Sequence, residues 1–72
     1  MLNAKEIGKR IQELRKAKGL TQEEMAEKLD ITVSMLSKVE VGARVPSVDM
    51  FVILAEYFGE TLDYVVLGRK PE

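Results

Sequence analysis

Apolar residues recur at intervals of three and four along most of the chain, and no segment shows sustained alternation of apolar and polar residues. The three-to-four spacing places apolar side chains on one face of an α-helix, whereas alternation would indicate a β-strand. Glycine favours the end of a helix because it adopts a left-handed conformation without strain. Such glycines follow four of the apolar segments, at Gly19, Gly42, Gly59 and Gly68. The pattern predicts an all-α chain of five helices.

A residue that can cap a helix N-terminus precedes each segment. Asparagine, serine and threonine do so by accepting a hydrogen bond from a backbone N–H in the first turn. The predicted caps are Asn3, Thr21, Thr32, Ser47 and Thr61. Glu6 and Glu24 each follow a cap by three residues, which is the spacing of a capping box. Pro46 prevents continuation of the third helix into the fourth.

The second and third helices are short and nearly adjacent. Only Asp30 and Ile31 separate the end of the second helix from the Thr32 cap, which requires a sharp crossing of the two helices. Ala26 is small enough for close helix packing, and Ile31 is an apolar turn residue that we expect to enter the core. Residues 21–47 therefore have the layout of a helix-turn-helix, whose second helix is shaped to enter the DNA major groove.

The fourth helix has two apolar arcs when residues are placed at about 100° intervals. The predicted core arc consists of Val48, Phe51, Val52, Leu54, Ala55 and Phe58. A second arc contains Met50, Ile53 and Tyr57, and Tyr64 adds a further apolar body in the last helix. We interpret these four residues as a dimerisation surface. The alternative is local packing against the chain termini or the fifth helix.

Composition limits the functions available to the chain. Its 72 residues predict one domain, assigned to residues 1–68, with a polar C-terminal tail at 69–72. The chain has no cysteine and no histidine, so no disulfide, metal site or cofactor is expected. Catalysis would need a carboxylate pair or a lysine in a pocket, for which so small a domain has little room; we expect no enzyme. The apolar runs are too short for a bilayer and no signal peptide opens the chain, which predicts a cytoplasmic protein without a membrane partner.

Charge is unevenly distributed although the net charge is only −1. Residues 1–19 carry six Lys or Arg against two Glu, and residues 48–67 carry four acids and no base. A fold that joins the first helix to the segment Lys38–Arg44 would have a cationic face. An ordinary solvated helix with mixed charges explains the first helix equally well.

Several motifs in order resemble one known family. The motifs are LRKAKGLTQEEMA, SKVE followed by Gly42, Pro46–Ser47 and LDYVVLG. In this order they are similar to the helix-turn-helix domain of the phage repressor and Cro class, also called the xenobiotic-response-element family. The resemblance covers residues 6–68. It implies a compact, five-helix, lambda-repressor-like domain that binds double-stranded DNA through helices 2 and 3. It also implies a homodimer on a near-palindromic operator, with half-sites one helical turn, about 34 Å, apart.

The resemblance assigns phosphate contacts to residues flanking the third helix. Gln22 would bind the backbone beside the start of helix 2, together with Thr21. The alternative for Gln22 is an exposed first-turn residue without function. Arg44 would clamp a phosphate in the loop before helix 4, and Ser47 at the start of that helix would contact a phosphate beside it.

The family pattern often has a polar residue at position 41 and a basic one at 43, where this chain has Val41 and Ala43. Fewer phosphate contacts predict weaker non-specific binding, with Lys9, Arg10 or Lys18 as candidates to compensate.

The outward face of the third helix would meet the bases through Thr32, Val33, Ser34, Ser37 and Lys38. Lys38 can donate to guanine O6 and N7 or to a phosphate, and Ser34 can pair with several bases. Val33 stands where the family often has a long polar residue. Its methyls could pack on a thymine methyl, which predicts reading through methyl groups, DNA shape and few hydrogen bonds. The alternative is a plain polar helix face.

In the family, an arginine and a glutamate at positions 15 and 40 form a salt bridge. The resemblance therefore implies that Arg15 and Glu40 brace the first helix against the end of the third.

Two functional hypotheses follow. One is a sequence-specific DNA-binding transcription regulator that acts as a homodimer, with no small-molecule ligand implied. The other is a protein-interaction module on the same scaffold, an antitoxin or adaptor, with weak or no DNA binding.

Overall fold

The computed structural model describes residues 2–70. Met1 of the predicted domain and Pro71 and Glu72 of the predicted tail lie outside the described residues. The described chain contains five α-helices and no strand: α1 Ala4–Ala17, α2 Gln22–Leu29, α3 Val33–Glu40, α4 Val48–Phe58 and α5 Leu62–Leu67. They confirm the predicted all-α, five-helix architecture. None of the helices within residues 2–70 is long and apolar enough to cross a membrane.

All five helices begin at the predicted caps. The side chains of Asn3, Thr21, Thr32, Ser47 and Thr61 each accept a hydrogen bond from the backbone N–H three residues later. At α2 the capping box is complete, because Glu24 also accepts from the Thr21 backbone N–H at 2.9 Å. The pKa of the Glu24 carboxyl is lowered below its normal value, mainly by the hydrogen bond from the Thr21 backbone and then by the one with the Thr21 side chain.

The turn between α2 and α3 has a left-handed residue that is not glycine. Asp30 has φ 56° and ψ 44°, a region that aspartate tolerates better than most residues. Ile31 follows, and its backbone N–H donates to the Ala26 carbonyl at 3.0 Å. As predicted, Ile31 is partly buried and packs against the core. This turn directs α3 across α2 within two residues.

The core lies between all five helices and, among residues 2–70, contains ten buried apolar side chains. They are Ile7, Ile11, Met25, Ala26, Leu36, Val39, Phe51, Leu54, Ala55 and Val65. Helix α1 packs against both α3 and α5, α2 against α3, and α4 against α5. Helix α1 is thus the element that connects the helix-turn-helix to the C-terminal half.

Gly8 lies where α1 packs directly against the backbone of α3. A Cβ built on Gly8 would lie 2.2 Å from the Val39 carbonyl oxygen and 2.5 Å from that of Glu40. Both oxygens belong to the last turn of α3. Only a residue without a side chain allows α1 to lie this close to the end of α3.

The predicted core arc of α4 is partly wrong. Phe51, Leu54 and Ala55 are buried, but Val48 is 78% exposed and Val52 is 38% exposed. Phe58, also predicted for the core, is partly buried against it. The inward face of α4 is shifted towards the second arc, so Met50 and Tyr57 are also partly buried and pack against the core. Apolar spacing alone could not choose between the two arcs, since tertiary packing selects which one faces inward.

Candidate nucleic-acid interface

The outward face of α3 is arranged as predicted. Leu36 and Val39 are buried, while Thr32, Val33, Ser34 and Lys38 are exposed and Ser37 is half-buried. The five candidate base-contacting residues therefore share one accessible side of the helix. Whether they contact DNA remains a prediction.

A buried ion pair fixes the C-terminal end of α3. Arg15 Nε lies 2.8 Å from Glu40 Oε2 and Arg15 Nη2 lies 3.1 Å from Glu40 Oε1. The third nitrogen of the guanidinium, Nη1, donates to the Leu20 carbonyl at 2.7 Å. The Glu40 side chain is completely buried, and the hydrogen bond to it raises the pKa of Arg15. The bidentate geometry matches the planar fork of arginine to a carboxylate.

Gln22 joins this ion pair instead of projecting entirely into solvent. Its Nε2 donates to Glu40 Oε1 at 2.9 Å, and the residue is half-buried at the start of α2. A carboxamide nitrogen has two N–H groups, so one can serve Glu40 while the other serves a second acceptor. The predicted phosphate contact is compatible with this arrangement. It would connect the DNA backbone, α2 and the end of α3 through one side chain.

Three of the candidate hydroxyls already serve as helix caps. Thr21, Thr32 and Ser47 each accept a backbone N–H bond with one lone pair, which leaves the O–H hydrogen free to donate and a second lone pair free to accept. A donated O–H bond suits the anionic oxygens of phosphate. Ser34 and Ser37 lie within α3 rather than at its cap.

The segment from Ile31 to Val48 presents only positive charge to solvent. Its single acid is Glu40, which is buried and paired with Arg15. The exposed charges of the segment are those of Lys38 and Arg44. The first turn of α3 carries no acid, whereas the four acids of residues 48–67 lie on and around α4 and α5.

Lys9, Arg10 and Lys18 were proposed to replace the phosphate contacts that Val41 and Ala43 cannot make. Two of these three cations make contacts within the domain. Arg10 donates to the carbonyls of Val65 at 3.3 Å and Val66 at 3.2 Å. These carbonyls lie at the C-terminus of α5, where the last turn lacks intrahelical donors. Lys18 Nζ lies 5.1 Å from the centre of the Tyr57 ring, a cation–π contact. Lys9 remains exposed.

Lys5 is a cation near the candidate interface that the sequence did not indicate. A Cβ built on Gly42 would lie 2.8 Å from both Cα and Cγ of Lys5, so the start of α1 lies against the turn after α3. Lys5 is exposed, and Arg44 follows Gly42 by two residues. Thirty-seven positions separate Lys5 from Gly42, and only the crossing of α1 and α3 brings them together.

The four residues predicted to dimerise differ in accessibility. Met50 and Tyr57 are half-buried against the core, whereas Ile53 is 41% exposed. The Tyr64 ring lies 4.1 Å from Lys70 Nζ and 5.9 Å from Arg10 Cζ. The exposed apolar surface of α4 consists of Val48, Val52 and Ile53.

Comparison with known proteins agrees with this architecture. A family model described as helix-turn-helix matches residues 11–65. An uncharacterised HTH-type transcriptional regulator of Rickettsia conorii is 40% identical over 70 residues, covering 92% of this chain and 56% of that protein. The HTH-type transcriptional activator BcrR of Enterococcus faecalis is 32% identical over 65 residues, covering 90% of this chain and 32% of that protein. The chain thus spans only part of the length of these curated relatives.

A solved structure matches most of both chains. The crystal structure of the restriction-modification controller protein C.AhdI from Aeromonas hydrophila superposes with a TM-score of 0.78 and 32% sequence identity. The match covers 88% of this chain and 91% of that one. With the buried Arg15–Glu40 pair and the α2–α3 turn, these similarities show that the chain belongs to the xenobiotic-response-element family of helix-turn-helix domains.

Proposed function

We propose that this chain is a cytoplasmic, sequence-specific transcription regulator that binds double-stranded DNA as a homodimer on a near-palindromic operator. The observation that carries the proposal is the charge of the Ile31–Val48 segment. Its exposed charges, Lys38 and Arg44, are both positive, and its one acid is buried in an ion pair. DNA affinity depends strongly on such cations because they neutralise phosphates and release bound counterions.

In the proposed complex, α3 enters the major groove with its N-terminal residues towards the bases. Thr21 and Gln22 at the start of α2 bind phosphates on one side of α3, while Arg44 and Ser47 bind them beyond its C-terminal end. Lys5, whose Cα and Cγ lie against Gly42, adds an exposed cation at the turn that follows α3. Phosphate contacts of this kind orient the domain and leave base recognition to α3.

Dimerisation is proposed to bring two copies of α3 onto one DNA site, because each α3 can form few hydrogen bonds with bases. One α3 offers Lys38 as its only charged side chain toward bases, so a single half-site would provide few specific hydrogen bonds. A two-fold dimer matches a near-palindromic site and doubles these contacts. The proposed contact surface includes Ile53, the most exposed member of the predicted dimerisation residues, together with the exposed Val48 and Val52 of the same helix.

The DNA-binding proposal is tested by the double substitution Lys38→Ala and Arg44→Ala. We expect at least a tenfold loss of affinity for duplex DNA and a salt dependence shallower by about 0.9 in logarithmic slope per phosphate contact removed. Both side chains are exposed, so the α-helical circular dichroism should not change. Binding is measured by fluorescence anisotropy from about 50 to 200 mM salt.

The matched control removes two positive charges elsewhere, with Lys28→Ala at the far end of α2 and Arg69→Ala after α5. This variant should keep most of the affinity. Unchanged DNA affinity after loss of Lys38 and Arg44 would show that the docking surface is misassigned. Absence of wild-type binding at about 50 mM salt, together with a stable complex with another protein, would favour the antitoxin or adaptor function instead.

The proposed dimer is tested by Ile53→Glu and sedimentation equilibrium. A buried, unpaired carboxylate at a subunit contact is strongly unfavourable, so this variant should be monomeric at concentrations where the wild type is dimeric. The control is Leu2→Glu, because Leu2 is similarly exposed, at 45% against 41% for Ile53, but is outside α4. A wild-type protein that stays monomeric would contradict the homodimer. A dimeric Ile53→Glu variant would show that the subunits contact each other through a different surface.

A further inference from the structure

The exposed face of α3 lacks the side chains that distinguish bases through paired hydrogen bonds. Guanine is commonly read by arginine, adenine by asparagine or glutamine, and cytosine by a carboxylate. Helix α3 contains none of these on its exposed face, since its one carboxylate, Glu40, is fully buried with Arg15. Lys38 supplies a single ammonium group, and the two serines supply short hydroxyls that pair with several bases.

The most prominent apolar group on this face is Val33. It is the first residue of α3 and is 37% exposed, which leaves part of its isopropyl group uncovered by the domain. Its neighbour Thr32 accepts a hydrogen bond from the Met35 backbone N–H at 3.0 Å and so serves as the cap of this helix. The N-terminal residues of a recognition helix are the ones that contact base edges in the major groove. Val33 is accordingly the side chain of this face best placed for an apolar contact with a base.

We propose that Val33 recognises the C5-methyl group of a pyrimidine, and that it accepts thymine and 5-methylcytosine alike. The inference rests on the proposed DNA binding and specifies which chemical group is read. The C5-methyl is the one apolar feature of base edges in the major groove, and thymine carries it. In 5-methylcytosine, a methyl on the same ring carbon lies on the same groove edge. The lack of exposed acids on α3 is compatible with the close approach to DNA that this contact requires.

The size of the effect follows from the burial of one methyl group. Such burial contributes about 0.8 kcal/mol, which corresponds to a roughly fourfold change in affinity for each half-site. DNA bound by this domain should therefore lose affinity when one particular thymine is replaced by deoxyuridine, which lacks only the C5-methyl. When that position holds cytosine, methylation of the cytosine at C5 should raise the affinity by a similar factor.

The experiment begins with selection of bound duplexes from a random DNA pool. Each thymine of the selected site is then replaced by deoxyuridine, and at the sensitive position cytosine is compared with 5-methylcytosine. Val33→Ala should weaken binding to the thymine site and remove the difference between thymine and deoxyuridine. Leu62→Ala is the matched control, because Leu62 is also an exposed branched apolar residue at the first position of its helix; this variant should keep that difference.

The outcomes separate this inference from the proposed function. If no duplex is enriched, both fail. If DNA is bound but deoxyuridine is tolerated at every position, methyl recognition fails while DNA binding stands. Equal affinities for cytosine and 5-methylcytosine at the sensitive position would overturn the inference, as would a Val33→Ala variant that still discriminates deoxyuridine from thymine.

Discussion

Replacement of Gly8 by alanine is expected to destabilise the domain by about 3 kcal/mol or more, at the upper end of the cost of overpacking a core. The new Cβ would lie 2.2 Å from the Val39 carbonyl oxygen and 2.5 Å from the Glu40 carbonyl oxygen. Both contacts are with backbone atoms of α3, which cannot move aside as a flexible side chain could. In an uncrowded helix the same change would stabilise by about 1 kcal/mol, because alanine has a higher helix propensity than glycine. Urea denaturation followed by circular dichroism measures the difference.

The control for Gly8 is the same substitution at Gly59. There an added Cβ meets no atom within 4 Å, but φ is +65°. Gly59→Ala should cost about 1–2 kcal/mol from backbone strain alone. Because α1 positions the end of α3, any folded Gly8→Ala protein should also bind DNA less well than the Gly59→Ala protein. A Gly8→Ala variant as stable as the wild type would show that α1 and α3 lie further apart than described.

Removal of the Glu40 carboxylate is expected to cost about 3–5 kcal/mol, the usual penalty for breaking a buried ion pair from one side. Glu40→Ala leaves three donors without an acceptor: Arg15 Nε at 2.8 Å, Arg15 Nη2 at 3.1 Å and Gln22 Nε2 at 2.9 Å. The guanidinium cannot respond by losing its proton, since arginine stays charged in proteins. The loss is measured as the change in the urea midpoint at constant slope.

A double substitution distinguishes the stability of this ion pair from its role in orienting α3. Arg15→Met with Glu40→Leu replaces both charges by apolar groups, and we expect it to recover most of the stability lost in Glu40→Ala. If the ion pair orients α3 and holds Gln22, the double variant should bind DNA weakly even though its stability is recovered. Recovery of both stability and affinity would reduce the pair to a packing role. A stable Glu40→Ala single variant would contradict the buried bridge itself.

The local features of the helices were predictable because short-range chemistry determines them. Each cap accepts from an N–H only three residues away, so the five helix starts are encoded within the first turn. The turn at Asp30 likewise depends on adjacent residues. The Arg15–Glu40 pair was anticipated from family resemblance; its spacing of 25 residues gives no local signal.

The orientation of α4 and the partners of the basic residues were less predictable. The sequence assigned one apolar arc of α4 to the core and the other to a dimer, but in the fold Val48 of the first arc is exposed and Met50 of the second is partly buried. Arg10 was predicted as a possible phosphate contact, but its guanidinium donates to carbonyls at the C-terminus of α5. Such contacts depend on the relative positions of whole helices, which no single segment contains.

The sequence by itself determined the number of helices, their boundaries and the helix-turn-helix, since caps, glycines and apolar spacing act within a few residues. Only the tertiary structure decided which cations remain at the candidate interface. In the folded domain Arg10 donates to carbonyls of α5, Lys5 lies against the Gly42 turn, and Gln22 donates to the carboxylate of the buried ion pair. The physical reason is that a long charged or amide side chain bonds to whichever group the packed helices bring within reach, however distant that group is in the chain.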